Sequence, residues 1–433
     1  AEVYATIFTF SEAPTEQGVL WTGSDDGYIH VSKNNGASWD KVNIPTSMLP
    51  EFSLISIIHT SEHTKGKAYV AANKYMYGDR APYLFKTTDY GKTWKKITAG
   101  IPADEYCRVL REDPNKPGLL YAGTERGIYV SFNDGDSWEK MNLNLPLTPI
   151  RDLQIHKRDK DLVVATHGRA FWILDDITPL HEIMDKKVTT EKYLFQPRTA
   201  YRTQGRQSDT KSAGTNAPNG VIVRFYQKTK ATKELELEFL NDKNESIIKY
   251  SSVKNTKGEP QKVAKEFHQD TEKEKAGYVP NKAGINVFVW NMRYPNATEV
   301  EGTNVMWAGS GVGAKVLPGT YKVRFIEDKK IIGEQTFDIK KDPRAEGTDA
   351  DLKEQFEFHQ KVNKKHLAIN KIRKIKGQIN GYVGAVKDSV MVKEMKKMAE
   401  PTIKSLEELE ATLMQPKAKA PQDVLAYPIM LND

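Results

Sequence analysis

Short bursts of alternating apolar and polar residues fill the first part of the chain. Tyr28-Ile29-His30-Val31, Tyr83-Leu84-Phe85-Lys86 and Ile128-Tyr129-Val130 are the clearest, and a period of two predicts half-buried β-strands. Another strand type precedes them. Leu20-Trp21-Thr22-Gly23-Ser24-Asp25-Asp26-Gly27 matches Leu120-Tyr121-Ala122-Gly123-Thr124-Glu125-Arg126-Gly127. A third version, Val163-Val164-Ala165-Thr166-His167-Gly168-Arg169, runs on into Phe171-Trp172-Ile173-Leu174 and Asp175-Asp176, while Lys67-Ala68-Tyr69-Val70-Ala71-Ala72 is the matching strand of another unit. About four four-stranded blades are expected over residues 1–190, the usual arrangement of a β-propeller. An apolar strand over Val3–Phe8 is expected to open the first of them.

Beyond Tyr193-Leu194-Phe195 the texture changes. Residues 191–219 read as a linker, with 202–219 polar and rich in Gly, Ser, Thr and Asn. Six further alternating runs lie between 220 and 341: Val221–Phe225, Leu235–Phe239, Ile247–Ile248, Asn286–Trp290, Tyr321–Phe325 and Gln335–Ile339. They predict an antiparallel β-sandwich of the immunoglobulin or fibronectin type, with the Lys/Glu-rich stretch 254–276 as a solvated excursion. From 342 the period becomes helical. Val362, Ile369, Ile372 and Ile379 form a seam spaced seven, three and seven residues apart. A second helix is expected from about Lys387 to Leu413, with Gly377–Gly384 as the connection. The apolar run Val424–Leu431 has the look of an interrupted element. The fold class is therefore mainly β: a partial propeller, a sandwich and a C-terminal helical hairpin.

One phrase recurs between the strands. Ser32-Lys33-Asn34-Asn35-Gly36-Ala37-Ser38-Trp39, Thr87-Thr88-Asp89-Tyr90-Gly91-Lys92-Thr93-Trp94 and Ser131-Phe132-Asn133-Asp134-Gly135-Asp136-Ser137-Trp138 share Ser/Thr-x-Asp/Asn-x-Gly-x-Ser/Thr-Trp. The spacing, roughly 55 and then roughly 44 residues, is that of propeller blades. The side chains of Ser32, Asn34, Thr87, Asp89, Ser131 and Asn133 can bond turn amides. Gly36, Gly91 and Gly135 supply positive φ. Trp39, Trp94 and Trp138 are large enough to plug the gap between sheets. These residues read as structural staples.

Composition narrows the rest. No run in the 433 residues approaches the length of a membrane-spanning helix. The single cysteine, Cys107, excludes an internal disulfide framework and a cysteine-based zinc site. Nine scattered histidines and no Asp-rich calcium loop imply neither metal nor cofactor. Much of the +7 charge lies in the helical part, where Lys361, Lys364, Lys365, Lys371, Arg373, Lys374 and Lys376 occur without an acid between them. That run reads as the solvated face of a helix, with a polyanion patch as the alternative; no aromatic interleaving points to nucleic acid.

The ends of the repeated inner strands carry the better chemistry. Asp25, Asp26, Glu125, Arg126, His167, Arg169 and Asp176 are the candidates for ligand contact. Glycoside hydrolysis would need two carboxylates about 5–9 Å apart and a sialidase also a cluster of arginines; no Tyr-Glu nucleophile pair or arginine triad can be assigned, and turn capping is the alternative for each carboxylate.

The three boxes resemble the Asp-box, or bacterial neuraminidase repeat, of sialidases, xyloglucanase-type glycosidases and sortilin-type receptors. Ala165–Asp176 and Phe288-Val289-Trp290-Asn291-Met292-Arg293-Tyr294-Pro295 extend the resemblance to a family of large exported proteins, common in Bacteroidota, with sortilin-type repeats and a glycosyl-hydrolase label. The resemblance implies boxes on outer hairpins away from the ligand face, several hundred residues before Ala1, and more helix after Asp433. It also implies missing blades, whether from another part of the protein or another chain, as partners. The cysteine-rich module of animal sortilins is absent, and no glycosidase motif carries over. Two functions follow as expectations: an exported protein- or glycan-binding scaffold, or a glycoside hydrolase with carboxylates split between these and other blades.

Overall fold

The computed structural model describes residues 5–185, 187–203, 214, 217–253, 278–296 and 312–413. The stretches 254–276 and 424–431 lie outside the described residues. The chain divides into two compact units, 1–189 and 190–433.

The first unit is a row of four up-and-down antiparallel sheets. Sheet one holds β1 (Ile7–Glu12), β2 (Leu20–Ser24), β3 (Ile29–Ser32) and β4 (Asp40–Lys41). Sheet two holds β5 (Leu54–Thr60), β6 (Ala68–Lys74), β7 (Asp79–Thr87) and β8 (Lys95–Lys96). Sheet three holds β9 (Cys107–Asp113), β10 (Lys116–Thr124), β11 (Gly127–Ser131) and β12 (Glu139–Lys140). Sheet four has three strands, β13 (Ile150–His156), β14 (Asp161–Thr166) and β15 (Phe171–Leu174), before the short helix α1 (Thr178–Met184). Among the described residues the opening strand begins at Ile7; Val3 and Tyr4 of the expected Val3–Phe8 run lie outside them. The Thr6 amide bonds the Asp25 side chain at 2.9 Å instead of a ladder carbonyl.

Strict alternation explains why the sheets stack. Successive side chains point to opposite faces, so β6 sends Ala68, Val70 and Ala72 into the core shared with Trp21, Ile29 and Val31 of sheet one. Its Tyr69 and Ala71 enter the core shared with Leu110, Leu120 and Ala122 of sheet three. Sheets three and four repeat the arrangement through Tyr121, Ile128, Val130, Leu153, Leu162 and Val164. The first strands of neighbouring sheets touch, β1 to β5, β5 to β9 and β9 to β13, and form the inner edge of the row.

Every box lies on the hairpin between the third and fourth strands. In box one, Ser32 Oγ donates to Asn34 Oδ1 (2.9 Å) and accepts the Gly36 amide (2.8 Å), while Asn34 Oδ1 accepts the Ser38 amide (2.9 Å). Thr87, Asp89, Gly91 and Thr93 repeat the pattern, as do Ser131, Asn133, Gly135 and Ser137. The turn needs two consecutive left-handed residues, Asn133 being followed by Asp134 (φ 59°) and Gly135 (φ 84°). The tryptophans of boxes two and three then reach back one sheet, whereas Trp39, expected to plug a gap between sheets, is 40% exposed. Trp94 Nε1 donates to Val42 O at 3.0 Å, and Trp138 Nε1 to Ile97 O at 2.8 Å. Ser131→Ala removes the fully buried hydroxyl at the hub of the turn and is expected to cost about 1–2 kcal/mol in a denaturant titration; no measurable loss would show that the box is not a staple.

The second unit contains a three-stranded sheet of β16 (Lys192–Leu194), β18 (Val221–Gln227) and β21 (Gly284–Trp290). A five-stranded sheet runs in the order β17 (Ala200–Arg202), β23 (Lys330–Lys341), β22 (Gly319–Glu327), β19 (Leu235–Leu240) and β20 (Ser246–Ser251). The two sheets share one core, where Phe225 meets Phe325 at 4.6 Å and Trp290 stacks on Phe239 at 4.4 Å. Two strands therefore fall in the stretch read as linker. β16 pairs with β18, and β17 runs parallel to β23. At three residues each they are too short to show a period. Trp290 and Met292 of the Phe288–Pro295 word are fully buried, which makes that word a core element.

Helix α2 (Asp349–Ala385) starts from a capping box, Thr348 and Asp351 bonding one another's amides, and α3 (Ser389–Leu413) follows after three residues. Gly377, Gly381 and Gly384 are helical rather than connecting. A glycine inside a helix costs only about 1 kcal/mol relative to alanine, too little to end a helix of this length. The hairpin is pinned by the buried Glu410, which accepts from Arg373 Nε at 2.7 Å and Lys376 Nζ at 2.8 Å. Two of the basic run's cations are thus paired across the hairpin.

Burial alone would raise the Glu410 carboxyl, but Lys376 and Arg373 bring it below its ordinary value. A carboxylate depressed in the fold contributes stability above its unfolded pKa and loses it as pH falls through the folded one. The hairpin is therefore expected to weaken in acid from about pH 4 downwards. Glu410→Gln should flatten that part of a circular-dichroism pH titration; an unchanged acid limb would contradict the pairing.

Candidate functional site

Up-and-down strands put alternate turns at opposite ends of a sheet. The boxes join third to fourth strands, so the turns joining second to third strands lie at the other end, together with the connections between sheets. Asp25 and Asp26 (β2–β3), Glu125 and Arg126 (β10–β11), and His167 and Arg169 (β14–β15) all stand in those turns. They belong to second and third strands, not to the first strands that form the inner edge.

A cluster at this end spans sheets two to four. Arg108, on the first strand of sheet three, donates Nε to Glu125 Oε1 at 2.7 Å and Nη2 to the Tyr106 hydroxyl at 2.9 Å. Its guanidinium lies 4.6 Å from the ring centre of Tyr75 and 5.1 Å from that of Tyr106. The two rings stack at 4.9 Å, with planes 7° apart. Tyr75 is carried by Tyr75–Tyr77, a 3₁₀ turn where sheet three has only the polar pair Glu125-Arg126. In sheet four, Arg151 Nε donates to His167 Nδ1 at 3.0 Å.

Burial would lower the Arg108 guanidinium, but Glu125 and Tyr75 more than restore it. For Glu125, burial raises and the bonds from Tyr106 and Arg108 lower, leaving the carboxyl below its ordinary value. Burial, followed by Glu125, pushes the Tyr106 phenol up to about 12. The cluster is thus a fixed cation–aromatic platform with an ionised carboxylate. A general acid for glycoside cleavage needs a raised carboxyl pKa, and Glu125 has the opposite.

The other candidates are used locally. Asp25 Oδ1 caps the Thr6 amide, and Asp26 Oδ1 accepts from Ser24 Oγ. Arg126 Nη2 reaches Asp104 at 3.1 Å, and Arg169 Nη1 bonds the Gly168 carbonyl at 3.0 Å. Asp176 lies at the box end, buried at φ 60°, where it accepts from Thr178 Oγ1 at 2.6 Å. The structure thus joins Glu125 to Arg108 and His167 to Arg151, and separates Asp25, Asp26 and Asp176 from them. Tyr75, Tyr106, Arg108 and Arg151 were missed by the sequence reading. The signal for the first was present, because Tyr75-Met76-Tyr77 interrupts a turn that is otherwise polar.

Exposed apolar side chains mark the same end. Met76 (74%) and Tyr77 (62%) project from the turn, and Phe52, Leu143 and Leu147 stand exposed on the connections between sheets. Phe52 (φ 58°) and Leu143 (φ 47°) hold left-handed conformations that large side chains avoid. Among the described residues, no helix is long and apolar enough to cross a membrane.

The family model described as "Sortilin, neurotensin receptor 3" matches residues 82–271. No curated protein matches the chain. Similar solved structures include YCF48 from Cyanidioschyzon merolae, 15% identical over 40% of this chain and 54% of that one, with a TM-score of 0.30. Another is the GH74 xyloglucanase from Xanthomonas campestris, 15% identical over 40% of this chain and 29% of that one, with a TM-score of 0.33. Likeness at that level says nothing of ligand or reaction. The three boxes make residues 1–189 an Asp-box, propeller-type region, and the match to the sortilin model over 82–271 covers part of it.

Proposed function

We propose that this is an exported or cell-surface protein whose propeller binds a protein or glycan and works as a scaffold within a larger assembly. The observation that carries the reading is the end opposite the boxes. There the Tyr75–Tyr106–Arg108 platform and the exposed Met76, Tyr77, Leu143 and Leu147 coincide. Aromatic residues and arginine dominate the energetics of recognition surfaces, and large apolar side chains on loops are otherwise unfavourable. Further blades complete the propeller. The two sheets of the second unit are read as an immunoglobulin- or fibronectin-like accessory module.

The test is the affinity of whatever protein or glycan co-purifies with the intact chain. Arg108→Ala and Tyr77→Ala are each expected to weaken it about 30-fold, roughly 2 kcal/mol. Unchanged affinity in both folded variants would move the binding surface elsewhere. A hydrolase reading would require turnover of a polysaccharide that Glu125→Gln abolishes.

A further inference from the structure

Helix α2 carries a long stretch without acid. From Phe358 to Lys387 the chain holds no Asp or Glu, although acids stand close on both sides of it. Two of its cations are answered by α3: Arg373 meets Glu410 at 2.7 Å, and Lys376 meets Glu410 at 2.8 Å and Glu407 at 3.5 Å. Among the described residues, Lys361, Lys364, Lys371 and Lys374 have no ion-pair partner. Helix α3 is built differently, its lysines being interspersed with Glu394, Glu400 and Glu408.

The unpaired lysines share a face with large apolar side chains. Lys364, Leu367, Lys371, Ile375, Gln378 and Tyr382 follow one another at steps of three or four residues, which keeps them on one side of a helix. Lys361 and Lys374 flank this stripe, one on each side. Its lysines are exposed, and so are Leu367 (46%), Ile375 (43%) and Tyr382 (68%). The other side of the helix holds the buried Ile369 and Val383 and the ion pairs to Glu410. From Lys364 to Tyr382 the stripe runs for about 27 Å at the helical rise.

We infer that this face of α2 lies on the surface of a phospholipid bilayer with anionic headgroups. Charge complementarity and the interleaved apolar residues point to that occupant together. A soluble polyanion neutralises the lysines yet leaves Leu367, Ile375 and Tyr382 in water. A protein groove that covers those three must also bury ammonium groups. A bilayer interface meets both demands. Lysine stems lie along apolar material while their ammonium groups reach lipid phosphates. Leucine and isoleucine enter the boundary between headgroups and acyl chains, where tyrosine is also concentrated. Such contact is separate from ligand recognition by the propeller and requires no spanning segment.

The 433-residue chain is co-sedimented with vesicles, either of phosphatidylcholine alone or of an equimolar mixture with phosphatidylglycerol. The expected result is binding to the mixture alone, falling as salt is raised. Lys364→Gln with Lys371→Gln should weaken it about 25-fold, roughly fivefold per lysine. Leu367→Ala with Ile375→Ala should weaken it at least about tenfold and leave retention on a heparin column unchanged. All four side chains are exposed, so circular dichroism should show the helix intact in both variants. Arg108→Ala should bind vesicles as the native chain does. No sedimentation with either vesicle, or equal sedimentation with both, would overturn the inference. Unchanged vesicle binding in the alanine variant would overturn it in favour of a general polyanion patch. Loss of vesicle binding in Arg108→Ala would move membrane contact to the propeller, which overturns it for α2 while leaving the platform a binding surface.

Discussion

Trp21→Ala is expected to lower the unfolding free energy of the propeller region by about 3–5 kcal/mol, the range for emptying a buried aromatic site. The indole is almost fully buried between sheets one and two, and meets Trp94 edge-on at 6.5 Å and 79°. It also lies against the box of the next sheet, since a Cβ on Gly91 would stand 3.4 Å from its ring. Truncation therefore loosens an interface and a staple together. Denaturant titration read by tryptophan fluorescence measures the loss. A change below about 1 kcal/mol would mean that the two sheets do not depend on one another for stability.

Gly123→Val should be nearly as damaging, about 3 kcal/mol, the upper part of the overpacking range. The new branched side chain would begin 2.6 Å from Val109 Cγ1 and 2.7 Å from Ile150 Cγ2. Neither neighbour can withdraw, because both are buried in the core between sheets three and four. Ile150→Ala alone is also destabilising, yet it opens space at the clash. In the double variant the losses should fall short of additive, with a coupling of about 1 kcal/mol or more in favour of the pair. Strict additivity would show that the glycine is not a hole for Ile150.

The sequence shows those parts of the molecule whose causes are local. Each box is legible because its bonds join residues two and four apart, Ser131 to Asn133 and Asn133 to Ser137. Alternation located the strands of both units. It could not reveal β16 and β17, three residues each, because so short a strand has no period to read. It also gave Gly377–Gly384 too much weight as a break in α2. The site was half visible. Glu125 and His167 were noticed for their turns, but their partners are Arg108 and Arg151, 17 and 16 residues away across a sheet. Only pairing register places those side chains together. The exposure of Phe171 and Ile173 was likewise invisible, since their pattern is that of a core strand.

The central claim is that recognition occurs at the end opposite the boxes. A photo-crosslinking residue at Tyr77, compared with one at Lys92 in the second box, tests it in protein purified from the native host. The account predicts a discrete adduct from Tyr77 that disappears with Arg108→Ala, and none from Lys92. An adduct from Lys92 with a silent Tyr77 would contradict it.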